Sequence, residues 1–315
     1  MRRRTFIASL PAATMAGAAF ARGTQEKAAS TSGARSAASS SETEQPQVWA
    51  EGAERFVRTD VRAGDRPVGA SFASRTAVYG TSGACGSAHP YATMAGLDIL
   101  KRGGSAVDAA VAINACLGFL EPTSSGLGGD CFAMVWDPKQ NKLMGLAGSG
   151  GSPRGLSLDT VRQHAVQGAI PALGAIAVST PGALDAWWTL HQRYGKLPWA
   201  EVLQPAIDYA ENGVPVPDVI AYYIRHNMAI FKQRSAQIGE TANAFKTYAP
   251  DGIGPKTGGI FRNPDLARTY RMIAKGGRDA FYDGPIADTI DAYFRRIGGW
   301  LRKSDLQAMH SEWVQ

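Results

Sequence analysis

The sequence predicts an α/β chain in which a helix pair leads through a glycine-rich turn into a β-hairpin. Three observations carry that prediction, and all lie between residues 86 and 146. Apolar residues recur twice in succession at three- and four-residue spacing, each time closed by glycine or proline. The small-residue run Gly126-Leu127-Gly128-Gly129 follows. Two short apolar runs then flank Asp137-Pro138-Lys139-Gln140-Asn141, a composition that reverses an extended chain.

In chain order, the first segment reads as an address. Arg2-Arg3-Arg4 precedes Phe6 and Ile7, residues 6–21 are apolar but interrupted by Pro11, and Ala19-Phe20-Ala21 has the small-x-small form of a cleavage site. This is the pattern of a twin-arginine export signal over residues 1–21, too short to span a membrane. The mature protein is expected to be periplasmic or secreted, with no membrane contact after export. Residues 22–65 are rich in alanine and serine with little to bury, so they are expected to form a disordered linker. Residues 66–315 are expected to fold, and about 240 residues suffice for one sizeable core.

The formal charge of +6 owes three units to Arg2, Arg3 and Arg4, which leave with the signal. No dense basic tract interleaves with aromatics, so nucleic acid is excluded as a partner. Three cysteines, Cys85, Cys116 and Cys131, are too few for a disulfide framework in a chain of this length. Cys116 and Cys131 read as small buried hydrophobes. Cys85 and His89 are spaced like a metal pair, but no further ligand stands nearby to complete a shell.

Pro90 suits a first helical position, Ala92, Ala95, Ile99 and Leu100 form a stripe, and Gly103-Gly104 is placed to end the helix in a left-handed cap. Ser105 and Asp108 have the spacing of a capping box. Beyond Asp108, Asn114 is the one strongly polar residue up to Leu120, which marks a buried helix that Glu121-Pro122 ends. The glycines of the turn fit neither dinucleotide nor P-loop spacing, and Asp130 would repel a phosphate, so they are expected to serve close packing. Strands follow at residues 131–137 and 142–146. From Gly182 the pattern turns helical: Ala183, Ala186, Trp187 and Leu190 line one face, Gly195 closes it, and Pro198-Trp199 opens the next helix through Asn212. Trp187, Trp188 and Trp199 are expected in the core. Residues 220–230 read as a helix, 237–259 as a polar loop, and 264–277 and 283–296 as a helix pair.

The five histidines are scattered, HExxH is absent, and neither a G-x-S-x-G elbow nor a Walker motif occurs. His191 is expected to be at the surface or partly packed. The chain carries no convincing nucleophile of its own.

The blocks SAHPYATMAGLDILKRGGSAVDAAVA and EPTSSGLGGDCFAMVWD resemble the start of the large subunit of the γ-glutamyltransferase (glutathione hydrolase) family. The resemblance continues through STPGALDAWWTLHQRYGKLPWAEVLQPAIDYAENGVPV, FRNPDLARTYRMIAKGGRDAFYDGPIADTI and IGGWLRKSDLQ, in the family's order. It implies the large-subunit part of an N-terminal nucleophile hydrolase, an αββα sandwich that is incomplete here. It also implies self-cleavage, and a new N-terminal threonine in a Thr-x-His segment beyond Gln315 that attacks the amide of a small γ-glutamyl compound such as glutathione. Water or an amine acceptor resolves the acyl-enzyme, the partner is the protein's own small subunit, and no cofactor or metal is called for.

One departure bears on substrate. Typical members carry Leu-Asp-x-Arg-Glu-x-x-Pro after the hairpin, and the resemblance gives that arginine to the donor's α-carboxylate. Here the run is Leu146-Ala147-Gly148-Ser149-Gly150-Gly151-Ser152-Pro153. Ser149 stands in place of the arginine and Gly150 in place of the glutamate, making these the expected substrate-binding positions. A serine cannot supply a bidentate cation. Arg154 is a possible substitute. The form looks more like the family's amidohydrolase branch, so three readings stand: a γ-glutamyl hydrolase, an amidohydrolase or acylase on another amide, and an inactive truncated fragment.

Overall fold

The computed structural model describes residues 78–314. The expected export signal, the expected linker and the expected start of folding near residue 66 lie outside the described residues. Those described run α1 (Pro90–Lys101), α2 (Ala106–Leu120), β1 (Cys131–Asp137), β2 (Lys142–Gly148), α3 (Leu158–His164), a 3-10 turn (Ala175–Ala177), α4 (Ala183–Tyr194), α5 (Trp199–Asn212) and β3 (Val214–Pro215). They continue through α6 (Asp218–Gln233), α7 (Ser235–Ile238), α8 (Ala242–Tyr248), β4 (Ile260–Phe261), α9 (Pro264–Gly276), α10 (Asp279–Tyr282), α11 (Pro285–Arg296), α12 (Lys303–Gln307) and β5 (Glu312–Val314).

The helix pair forms as its local signals require. Gly103 takes φ +89° just beyond the end of α1, a conformation open to glycine without a Cβ clash. Ser105 Oγ accepts from the Asp108 amide at 3.0 Å, and Asp108 Oδ2 accepts from the Ser105 amide at 2.8 Å, which closes the capping box. Asp108 is fully buried, because the same Oδ2 also accepts from the amides of Lys196 (2.9 Å) and Leu197 (3.1 Å) beyond α4. One carboxylate thus caps α2 and holds the α4–α5 connection. His191 lies against it, with Nε2 at 2.9 Å from the Leu197 carbonyl and its ring against Trp199, so it is a packed structural residue.

The hairpin register pairs Cys131 with Gly148 and Asp137 with Lys142, and β5 adds antiparallel to β2, giving the sheet order β1-β2-β5. Asp137 Oδ1 accepts from the amides of Lys139 and Gln140 and shapes the turn, while Asn141 takes φ +52°. Strand β2 runs two residues past the expected end, to Gly148. The reason is contact: a Cβ on Gly148 would crowd the Ala186 methyl, so glycine lets the strand continue against α4.

Alternation then decides the two faces of the sheet. Val135, Ala133 and Leu146 turn inward against the main core with α2, α4 and Trp187, and Met144, opposite Val135, is buried. Phe132, Met134 and Trp136 turn outward and are 69 %, 80 % and 56 % exposed. Leu143 and Val314 join them, and Gly145 makes room for Val314. That outer face is a contiguous apolar surface of the kind soluble proteins cover.

The expected polar loop over residues 237–259 is corrected in part. It contains α8, because Phe245 and Tyr248 pack with Ile224, Met228 and Ala249 in a second small core on α6. Tertiary burial there outweighs weak local periodicity. The segments α3, α10, α12 and β5 were also not marked by sequence; each is short, and none has a long apolar stripe.

His89 caps α1, its Nδ1 accepting from the Tyr91 amide at 3.3 Å, which leaves Nε2 as the protonated nitrogen, buried and without a partner. This role in α1 explains the residue that the Cys85–His89 spacing had singled out. Burial holds its pKa below the usual histidine value of 6.5. The neutral ring is therefore favoured in the folded state. Its stabilising contribution is complete above the unfolded-state pKa and is lost as pH falls through about 6.5 toward the lower folded-state value. Melting temperatures measured between pH 8 and pH 5 should fall less steeply for His89→Asn, which caps a helix without titrating.

Candidate functional site

Three glycine-containing segments interlock where the hairpin meets α4. The Gly129 carbonyl accepts from the amides of Gly182 at 3.0 Å and Ala183 at 2.9 Å, so the glycine turn caps the helix with its own backbone. A Cβ on Gly182 would collide with the Gly148 carbonyl, and a Cβ on Gly150 would collide with the Thr180 carbonyl. The Thr180 amide donates to the Gly151 carbonyl at 2.9 Å. Close backbone packing is therefore the role of Gly148, Gly150 and Gly182, whereas the expectation is corrected for the turn: a Cβ on Gly126, Gly128 or Gly129 would meet no close neighbour, and Gly126 instead takes φ +155°, a conformation that favours glycine.

At this junction stands Ser149, exposed, with Oγ donating to Asp130 Oδ2 at 3.0 Å. Gly150 presents backbone only and lies against Thr180. Sequence reasoning treated Asp130 as a reason against phosphate and did not pair it with Ser149. The signal was the hairpin itself, since a register counted back from the Asp137 turn sets residue 130 opposite residue 149. Arg154 makes no approach to this pair: its amide donates to Asp305 Oδ1 at 3.0 Å, and its guanidinium forms no hydrogen bond or ion pair with a described residue.

Beneath the junction lies a buried polar cluster that sequence did not reveal. Tyr282 Oη donates to the Pro181 carbonyl at 3.0 Å and accepts from the Asp185 amide at 3.0 Å. Burial pushes its phenol pKa well above the ordinary tyrosine value, so it remains a donor. Arg278 lies 4.6 Å over the Tyr282 ring, pairs with the buried Asp185 and donates to the Met309 carbonyl. Asp185 Oδ2 also accepts from the Ser311 amide at 2.6 Å. One carboxylate thereby ties the start of α4 to the segment that becomes β5. Trp313 on β5 packs on Tyr194 and beneath the Arg193 guanidinium, 4.5 Å from its ring.

The three cysteines are free thiols. Burial pushes Cys116 far above the usual thiol pKa and raises Cys85 and Cys131 too, so none is poised as a thiolate nucleophile. Trp187 donates from Nε1 to Asn114 Oδ1 at 2.7 Å, which satisfies the polar atom on the buried helix. A groove of about 930 Å³ lies between residues 164–176, the end of α6 and residues 297–300, and shares no residue with the Ser149 junction.

A model of the γ-glutamyltranspeptidase family matches residues 92–315. The chain belongs to that family. It is 35 % identical over 238 residues to the glutathione hydrolase-like YwrD proenzyme of Bacillus subtilis, covering 75 % of this chain and 43 % of that one. It is 32 % identical over 235 residues to the oxamate amidohydrolase proenzyme of Klebsiella pneumoniae, covering 72 % of this chain and 42 % of that one. Among solved structures it is similar to the cephalosporin acylase of Bacillus halodurans, with a TM-score of 0.72 and 40 % identity, over 82 % of this chain and 47 % of that one. It is also similar to the γ-glutamyltranspeptidase of Pseudomonas nitroreducens complexed with L-DON, with a TM-score of 0.65 and 30 % identity, over 75 % and 67 % of the two chains.

The chain thus spans less than half the length of these two curated relatives. Together the likenesses give the fold as the large-subunit part of an N-terminal nucleophile hydrolase, of αββα type. The described residues supply the three-stranded sheet with helices packed on its inner face, and a separate two-stranded pairing of β3 with β4.

Removing Asp185 leaves the largely buried Arg278 with only the exposed Asp279 as a counter-charge and frees the Ser311 amide. Asp185→Ala is expected to cost about 3–5 kcal/mol. Calorimetry should show a melting temperature lowered by roughly ten degrees, and hydrogen exchange should show early loss of protection across residues 312–314.

Proposed function

We propose that this chain is the large-subunit portion of an exported, self-processing amide hydrolase. Membership of the family supports amide cleavage, and proenzyme relatives support maturation by self-cleavage. In this reading a threonine beyond residue 315 becomes the N-terminus of a small subunit. Its hydroxyl attacks the donor's amide carbonyl, its own α-amino group takes the proton, the amine departs, and water or an acceptor amine releases the acyl group. The exposed outer face of Phe132, Met134 and Trp136 is where the small subunit's sheet packs, completing the sandwich.

The observation that carries the choice of donor is the Ser149–Asp130 hydrogen bond at 3.0 Å. If Ser149 takes the position of the arginine that the resemblance gives to a γ-glutamyl donor's α-carboxylate, this pair offers a hydroxyl and a carboxylate there in place of a cation. The donor in this reading is a small amide or acyl compound without the γ-glutamyl α-carboxylate, and relatives named for donors other than γ-glutamyl compounds support it. Glutathione-type γ-glutamyl compounds are the second reading, supported by the glutathione hydrolases among the relatives.

Expression of the complete reading frame tests the proposal. Two chains should appear on a denaturing gel, with hydrolysis of a small anilide that is lost on replacing the new N-terminal threonine by alanine. An uncut, inactive product would reject it. A kcat/KM for glutathione tenfold above that for an amide lacking the α-carboxylate would favour the second reading. For export, replacing Arg3 and Arg4 by lysine should leave the uncleaved precursor in the cytoplasm, measured by fractionation.

A further inference from the structure

Donors and acceptors at the end of the hairpin are out of balance. The start of α4 is where backbone amides would ordinarily receive an anion. Here the amides of Gly182 and Ala183 are held by the Gly129 carbonyl, and that of Asp185 by Tyr282 Oη. The Thr180 amide is held by the Gly151 carbonyl. The hydroxyl proton of Ser149 is directed at Asp130. Arg278, the cation of the cluster beneath, is taken by Asp185, Asp279 and the Met309 carbonyl. What faces solvent is the Asp130 carboxylate, held in place by a neutral hydroxyl and in no ion pair with a described residue.

We propose that Asp130 is a specificity-determining residue, oriented by Ser149, that receives an ammonium or other hydrogen-bond-donating group at the distal end of the acyl donor and disfavours a carboxylate there. The substrate class is then an amino-bearing acyl amide. This rests on the reading above that the Ser149 junction belongs to the donor pocket of an amide hydrolase. The physical reason is charge: an exposed carboxylate attracts an ammonium and repels a carboxylate, each by a modest amount that salt screens. Ser149 fixes the carboxylate rotamer, so the group is aimed before substrate arrives.

The test uses the complete, self-processed protein and three 4-nitroanilides of matched chain length. One carries only an amine (4-aminobutyryl), one only a carboxylate (glutaryl) and one both (γ-glutamyl). The 4-aminobutyryl donor is expected to exceed the glutaryl donor in kcat/KM by about fivefold at low ionic strength, with the gap closing in 1 M salt. Asp130→Asn should raise KM for the first donor and lower it for the second, with kcat little changed; Asp130→Glu should restore part of the preference. Opposite movements of the two KM values separate a charge effect from a folding defect, which moves both the same way. Ser149→Ala, a smaller change, should reduce the preference in the same sense. Equal or better turnover of the glutaryl donor, or a parallel change of both KM values in Asp130→Asn, overturns this inference and leaves the amide-hydrolase reading standing. Failure to hydrolyse any of the three by protein that has cut itself removes that reading, and this inference with it.

Discussion

The contact on which this structure depends is backbone against backbone, at the point where the glycine turn meets α4. The Gly129 carbonyl takes the first free amides of the helix, and Gly148, Gly150 and Gly182 each allow a carbonyl or methyl to come where a side chain would stand. Such closeness is open to glycine alone, and it explains that residue at Gly148, Gly150 and Gly182. Because the turn, the strand end and the helix start are locked together, the residues projecting from their junction are held without relying on long side chains. Ser149 and Asp130 meet there for that reason.

A second layer of polar contacts makes the junction stable from below. Tyr282 binds both the carbonyl before α4 and an amide within its first turn, so a single hydroxyl satisfies two groups that would otherwise be buried unpaired. Asp185 and Arg278 neutralise one another, and both reach the C-terminal segment of the described chain. The cluster therefore couples the helix that backs the sheet to the strand at the sheet's edge. Asp108 performs the same kind of service at the opposite end of α4, where one carboxylate accepts from both the α2 cap and the Lys196–Leu197 amides. Helix α4 is thus pinned at both ends by buried acids, with Trp187 filling the space between.

The sheet itself is two-natured. Its inner face packs against α2 and α4, and its outer face bears Phe132, Met134, Trp136, Leu143 and Val314 in the open. In a sandwich of two sheets this is the pattern expected of a strand buried on both sides, and it accounts for the nearly continuous apolar run Cys131–Trp136 that alternation alone would not require. An apolar layer of this kind is what the facing sheet of an αββα sandwich would cover.

The helices with strong local signals were legible in the sequence: α1 and α2 from their apolar spacing, Gly103 and the Ser105–Asp108 box, and the hairpin from the Asp137–Asn141 turn. These features depend on neighbours within a few residues, where capping, spacing and turn chemistry act. Helix α8, strand β5 and the Tyr282–Asp185–Arg278 cluster were not legible, since each is stabilised by partners tens of residues away in the chain. Asp130 lies between the two cases: its charge was plain from the sequence, but its partner depended on strand register and on the packing of the hairpin against α4. What sequence determined by itself was the family and the local elements. What tertiary structure alone decided was which groups face one another, because long-range hydrogen bonds and the close approach of glycine backbones are set by packing and leave no periodic trace along the chain.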